Sequence, residues 1–208
     1  MKTFLFLSAA FAASTLAFAA PLHAQGAAPV ADAAPANSWR IDASHSELSF
    51  RIRHFVSKVR GTFGSWQGTI IADPAQLDAG QVEIVIDAKS IDTNHERRDA
   101  DLRSANFFEV EKFPEIRFTS RSVEVNGNDL TIVGDLTMRG ITKPVTLTGE
   151  YIGATEDNRG RRRIGFEAST KVDRTAWGIT WNRLAEGGGA MLGDEVEISV
   201  VLAAVQQD

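Results

Sequence analysis

Six stretches of this chain change character at every second residue, and that alternation limits what it can fold into more than any other feature. Leu48, Phe50 and Ile52 alternate with Ser49, Arg51 and Arg53, and His54 continues the apolar side. Val82, Ile84, Ile86 and Ala88 form a second run, and Leu130, Ile132, Gly134, Leu136 and Met138 a third. Val145, Leu147 and Tyr151, then Ile164, Phe166, Ala168 and Val172, then Val196, Ile198, Val200 and Leu202 complete the set. A period of two describes strands with one face buried and one in water. Asn126-Gly127 supplies the positive φ angles of a tight hairpin, Asp157 to Gly160 separates two further strands, and Asp73-Pro74 ends another. Short turns of this kind join antiparallel neighbours. A sheet of about eight such strands has exposed edges unless it closes. The fold class expected is therefore all-β: a closed antiparallel barrel of about eight strands with one short helix.

The helix is expected where the alternation stops. Thr93-Asn94-His95-Glu96 has the form of a capping box, with Thr93 as N-cap and Glu96 three residues on. Good helix formers follow, which predicts a helix from about Asn94 to Ser104 lying across one end of the barrel. Phe107 and Phe108 are placed to plug or line that end, and Pro114 holds Phe113 extended before the next strand.

Ahead of the strands, Lys2, an apolar run from Phe4 to Phe18 and the small residues up to Ala24 follow the tripartite pattern of a secretory signal peptide. Residues 1–24 are read as that leader, with Ala17-Phe18-Ala19 as a rival cleavage site. Residues 25–37, rich in Ala, Pro and Gly, are read as a flexible tether, and 38–208 as the folded domain. This organisation implies export. The chain contains no cysteine, which excludes disulfides, thiol nucleophiles and thiolate clusters. Its net charge of −5 makes it a poor generic partner for nucleic acid. No segment demands stable membrane insertion.

An eight-stranded barrel is near the size at which side chains either fill the interior or leave room for one ligand. Gly134, Gly149 and Ala168 fall on the expected inner face. They leave volume between larger side chains, or they mark bends where the sheet curls. With room inside, the wall is Leu, Ile, Val and Phe, suited to a long alkyl or isoprenoid chain. Strand parity and the insertion give the candidate lining: Phe50, Ile52, His54, Phe63, Ile84, Ile86, Phe107, Phe108, Leu136, Phe166 and Trp177. Trp177 and Trp181 flank the mouth or pack in the core. The readings that compete with a carrier are an enzyme acting on such a lipid and a filled-core interaction domain.

Other clusters have ordinary explanations. His95 and Asp99, four apart on the expected helix, are half of a metal site or members of a solvated capped helix. Arg161-Arg162-Arg163 is a strand-end charge run or a patch for an anionic surface. Gly187-Gly188-Gly189 lacks the lysine of a phosphate loop. Ser44-His45-Ser46 would alternate faces on a strand and form no nucleophile–base pair. No catalytic residue, metal ligand or cofactor site is assigned.

Two ordered sets of residues are distinctive: Ser90-Ile91-Asp92-Thr93-Asn94-His95 with Arg98-Asp99, Leu102-Arg103-Ser104 and Phe107-Phe108, and Gly134-Asp135-Leu136-Thr137 with Gly140 to Val145. With Ile41-Asp42, His45-Ser46, His54 and Gly61-Thr62-Phe63, they resemble the YceI-like family of periplasmic polyisoprenoid-binding proteins, from about Trp39 to Val205. The resemblance implies a lipocalin-like barrel with an elongated pocket, often dimeric. It implies a bound polyisoprenoid, quinone or fatty amide-type lipid, and no catalytic residues. The family pattern often carries His two residues beyond the Arg-Asp pair, where this chain has Asp101.

Overall fold

The computed structural model describes residues 37–183 and 189–207. The leader, most of the tether and Gly187-Gly188 lie outside the described residues. The strands are β1 (Ser38–Ile41), β2 (Glu47–His54), β3 (Ser57–Phe63), β4 (Trp66–Asp73), β5 (Gln76–Asp87), β6 (Ile91–Asp92), β7 (Glu115–Asn126), β8 (Asp129–Met138), β9 (Ile141–Glu156), β10 (Arg162–Asp173) and β11 (Leu192–Gln206). One helix, α1 (Glu96–Arg103), lies between β6 and β7.

Hydrogen bonding runs in the order β1-β4-β5-β7-β8-β9-β10-β11, and β11 pairs back onto β1. That pairing sets Trp39 opposite Gln206 and Ile41 opposite Ala204, and closes a ring of eight antiparallel strands. β1 covers only the far half of the seam. Along its first half β11 pairs instead with β2, which carries β3 and then β6. Three of these strands escape the alternation test, for two reasons. β1 and β6 are four and two residues long, and β3 has Gly61 where an apolar side chain would mark its inner face.

One end of the barrel holds the β4–β5, β7–β8 and β9–β10 turns, and it is sealed by packing. Trp39, Leu130, Ile164 and Ala204 are buried there, and the Trp39 indole N–H donates to the Ala72 carbonyl at 2.7 Å. Arg162 stacks over the outer side of the Trp39 ring, 5.6 Å from its centroid.

The glycines on the inner face leave no free volume. A Cβ on Gly134 would meet the ring of Phe118, and one on Gly149 would meet the Glu167 carbonyl across the β9–β10 ladder. The first lets a large ring lie flat on the wall, and the second allows two backbones to approach closely. Room in the interior has another origin, described below. Beside Gly149, a bulge in β9 opposite the Gly165–Phe166 step turns Ile152 out to solvent.

The helix starts later than its sequence suggests. Asn94 has φ +58°, which no α-helix accommodates, so His95 becomes the N-cap and its Nδ1 accepts the Arg98 N–H. Thr93 is buried and serves another purpose. Its N–H and hydroxyl both donate to Asp99, at 3.0 and 2.5 Å, while its Oγ1 accepts from Arg98 Nε. Burial pushes the Asp99 carboxyl up, but these bonds and the Arg103 charge outweigh it and hold the group below the usual range.

At the sealed end an ion network joins chain segments far apart in sequence. Arg163 bridges Asp42 at 2.8 Å and Asp157 at 3.2 Å. The Ser44 hydroxyl, then the Arg163 guanidinium, hold the Asp42 carboxyl far below the ordinary carboxylate range. Partial burial pushes Asp157 up, but the N–H groups of Arg161 and Arg159 and the guanidinium groups of Arg161 and Arg163 prevail and lower it. Carboxyls depressed in the folded state contribute stability that is complete above their unfolded pKa, about 4, and is lost as pH falls below it. Arg163→Gln is therefore expected to lower the melting temperature at neutral pH. Its acid loss below about pH 4 should be shallower than that of the parent, so the two curves converge. Thermal melts across the acid range test this, and a gap of constant size from neutral to strongly acid pH would refute it.

Candidate functional site

The unsealed end collects four segments: the β2–β3 turn, α1 with residues 104–114, the β8–β9 turn and residues 174–183 with 189–191. A cavity of about 640 Å³ runs from this mouth into the barrel. That lies within the range of pockets that enclose one small or medium ligand. The interior has room because the ring is wide. Seven of its strands, β4, β5 and β7 to β11, together with the added β2 and β3, point Ile, Leu, Val and Phe inward, and these side chains line the wall.

Ten of the eleven residues anticipated as lining do face this cavity: Phe50, Ile52, His54, Phe63, Ile84, Ile86, Phe107, Phe108, Leu136 and Phe166. Trp177 does not. It is buried in a short 3₁₀ turn, and its indole N–H donates to the Leu136 carbonyl at 3.1 Å, so it packs behind the wall. Trp181 lines the cavity instead. Of the small residues, Ala168 lines it, while Gly134 and Gly149 do not.

Aromatic rings step from the wall toward the mouth. Phe50 and Phe63 have centroids 5.9 Å apart, Phe63 and Phe108 meet edge to face at 6.0 Å, and Phe107 and Trp181 lie at 5.2 Å. Phe107, Ile179 and Leu192 form a small buried cluster with Ile52, Leu102, Phe108 and Trp181 around it. The paired Phe residues thus narrow the opening rather than plug it.

Polar lining gathers at the mouth. His54 comes from the end of β2, and His95, Arg97, Arg98 and Asp101 come from α1 and its cap. Arg183 comes from the segment before β11. Asp101, which stands where the family pattern often has His, accepts from Asn106 Nδ2 at 2.8 Å. Deeper down the wall is aliphatic and aromatic apart from a few neutral groups such as Ser49, Gln81 and Thr170.

One residue that sequence reasoning passed over organises this rim. Arg174 is buried, with 3% of its surface exposed, yet it carries a full charge. Its Nε donates to the Gly193 carbonyl at 2.9 Å. One terminal nitrogen donates to the carbonyls of Ile179 and Trp181, and the other to Asp194 at 2.8 Å. A planar guanidinium can satisfy four oxygens spread over three directions, which an ammonium cannot. The available signal was Asp173-Arg174 beside Trp177-Gly178, a 3₁₀ start followed by a left-handed stop. Nothing local showed where the guanidinium would point. Arg139 adds a second tie, donating to the Gly178 carbonyl and pairing with Glu109 at 3.0 Å.

The other candidate clusters resolve as structure. Asp99 is engaged by Thr93 while His95 caps α1, so the two share no ligand. Among the described residues, no three His, Asp or Glu side chains converge as a metal site. Ser44 and His45 lie in a 3₁₀ turn, not a strand, and they do bond, at 3.0 Å. That bond uses His45 Nδ1, the atom Asp42 also approaches at 2.9 Å. A nucleophile relay needs the acid and the hydroxyl on opposite ring nitrogens, so this is a turn device. In the arginine run, Arg161 and Arg163 are both spent on Asp157.

Replacing Arg174 with Ala is expected to cost about 3 kcal/mol, because three carbonyls lose their donor in a site closed to water. Arg174→Lys should recover little of it. Urea unfolding measures both, and a midpoint unchanged from the parent would remove Arg174 from this role.

Comparison with known proteins agrees with this geometry. The YceI-like domain model matches residues 39–204. The protein called YceI from Escherichia coli O17:K52:H18 is 39% identical over 195 residues, covering 92% of this chain and 96% of its own length. Among solved structures, BcnA of Burkholderia cenocepacia superposes with a TM-score of 0.67 at 20% identity, covering 78% of this chain and 98% of that one. A polyisoprenoid-binding domain from Saccharophagus degradans, implicated in plant cell wall breakdown, gives 0.62 at 16% identity, covering 81% and 98%.

Proposed function

Since the chain belongs to the YceI-like family, we propose that it is an exported, non-enzymatic binding protein that holds one long amphiphilic lipid of polyisoprenoid, quinone or fatty amide type. The observation that carries this reading is the 640 Å³ cavity, mainly apolar along its length and charged only at its mouth. The solved neighbour described as polyisoprenoid-binding has the same barrel at low identity. Export rests on the leader pattern of residues 1–24, and the periplasmic location on membership of the YceI-like family.

The division of labour in the cavity is physical. Each methylene moved from water into the lumen contributes roughly 0.8 kcal/mol, so a chain of ten supplies an upper figure of roughly 8 kcal/mol before ordering costs. No hydrogen bond is required along that length, and selection among chain types is correspondingly weak. The mouth is where a polar end group finds His54, His95, Arg97, Arg98 and Asp101 while staying near water. No resident cofactor enters this account.

Carboxylates whose ionisation is displaced also support binding over catalysis. Asp42, Asp157 and Asp99 are held by Ser, Thr and Arg partners away from the cavity wall, where they organise the turn at the start of β2, the β9–β10 turn and α1. A general acid or base for an enclosed lipid would have to face the lumen.

Mass spectrometry of an organic extract of the purified protein is expected to show a stoichiometric apolar compound. Ala168→Phe sets a ring into the lumen from a lining position, and should lower lipid content and added-lipid affinity by about tenfold or more while the fold persists. A parent barrel that is consistently empty and takes up no lipid or quinone would overturn the proposal. So would an Ala168→Phe protein that loads as well as the parent.

A further inference from the structure

The β2–β3 hairpin ends in two residues for which the fold has no use. Val56 is fully exposed and Phe55 is 41% exposed. Phe55 sits at φ +54°, a left-handed conformation that disfavours a large side chain and suits Asn or Gly. Its N–H donates to the Met191 carbonyl at 2.8 Å, and its ring stands edge-on to His54 at 4.9 Å. The backbone tie to the rim fixes the tip in place, and the strained φ holds an apolar side chain outward.

The outer face of the same hairpin is cationic. Arg51 lies opposite Arg60 and Arg53 opposite Lys58, a like-charge arrangement that destabilises a sheet by itself. Acidic residues of the neighbouring strand offset it in part: Glu197 lies opposite Arg51 and, with Asp194 and Glu195, borders the same face, but each has another cation within ion-pair distance. Glu195 is held by Lys171, Asp194 by Arg174, and Glu197 by Lys58. Among the described residues no carboxylate pairs with Arg51, Arg53 or Arg60, in contrast to Arg161 and Arg163 at the sealed end. A chain with a net charge of −5 thus concentrates unpaired positive charge around an apolar tip on one hairpin.

We propose that this hairpin docks the mouth end onto an anionic phospholipid bilayer, with Phe55 and Val56 entering the interface and Arg51, Arg53 and Arg60 meeting lipid phosphates. Exposed apolar residues beside a cation cluster have the composition of an interfacial anchor. His54 and Val59 of the same hairpin line the cavity, so docking brings the opening to the lipid boundary. This rests on the reading of the cavity as a lipid site, and it names the surface from which that lipid enters or to which it leaves.

Cosedimentation with vesicles of phosphatidylcholine, alone or mixed with phosphatidylglycerol, tests the proposal. The protein is expected to bind the mixed vesicles and to release at raised salt. Phe55→Asn with Val56→Asp, and separately Arg51→Gln with Arg53→Gln and Arg60→Gln, should each weaken binding about tenfold or more. Arg159→Gln with Arg162→Gln, beside and within the arginine run at the sealed end, should not. Phe55→Asn suits the local φ, so loss of fold is not expected to confuse the result. Equal binding by all variants overturns the proposal, as does equal loss in the Arg159 and Arg162 control. Failure of the parent to bind either vesicle also overturns it, and is the outcome expected if the tip meets a protein acceptor. An empty barrel that still binds anionic vesicles through this tip sinks the lipid-cavity reading and leaves the docking surface standing.

Discussion

Every strand of the ring has a hydrogen-bonded neighbour on each side, and the rest of the structure depends on that. The β1–β11 ladder closes the ring at its far half and β2 continues the pairing of β11 toward the mouth, so the ladder bonds of these strands are made without help from the interior. Side chains inside are then released from the duty of filling space to hold the fold together. Packing is concentrated at the sealed end, around Trp39, Leu130 and Ile164, while the lumen toward the mouth stays open. A sandwich or helical bundle of this size would collapse onto such a void. A closed ladder does not need to.

The mouth presents the opposite problem, since the described residues of the β10–β11 connection, 174–183 and 189–191, are largely irregular and their carbonyls would otherwise point into a partly dry rim. A buried guanidinium solves it. Arg174 draws Ile179, Trp181 and Gly193 toward one centre, and Arg139 ties Gly178 to the turn that carries Phe107 and Phe108. Aromatic side chains then narrow the opening from both sides, with charged groups of α1 above them. The result is a rigid frame around an unfilled space, which suits capture of a flexible chain better than recognition of a fixed shape.

The barrel and most of its lining were legible in the sequence because a period of two carries both strand identity and facing direction. Phe50, Ile84, Leu136 and Phe166 could be assigned to the lumen by parity alone. Parity fails where local backbone geometry intervenes. Asn94 adopts a left-handed φ and displaces the cap from Thr93 to His95. Gly134 reads as empty space until the ring of Phe118 is found lying on it. Trp177 sits in a 3₁₀ turn, where strand parity has no meaning, and so it faces the core. Arg174 was illegible for a different reason: its four acceptors come from residues five to twenty positions away. Ladder pairing of β1 and β6 was likewise invisible in strands too short to show a period.

The closing seam also decides when this protein can become itself. Trp39 pairs with Gln206, so the first and last strands of the barrel are partners, and contacts between them span nearly the whole domain. No partial chain that lacks the last strand can finish the ring. Such non-local closure makes folding slow and late. Under the export proposed above, that delay would work as a safeguard, keeping the chain threadable until its last strand arrives.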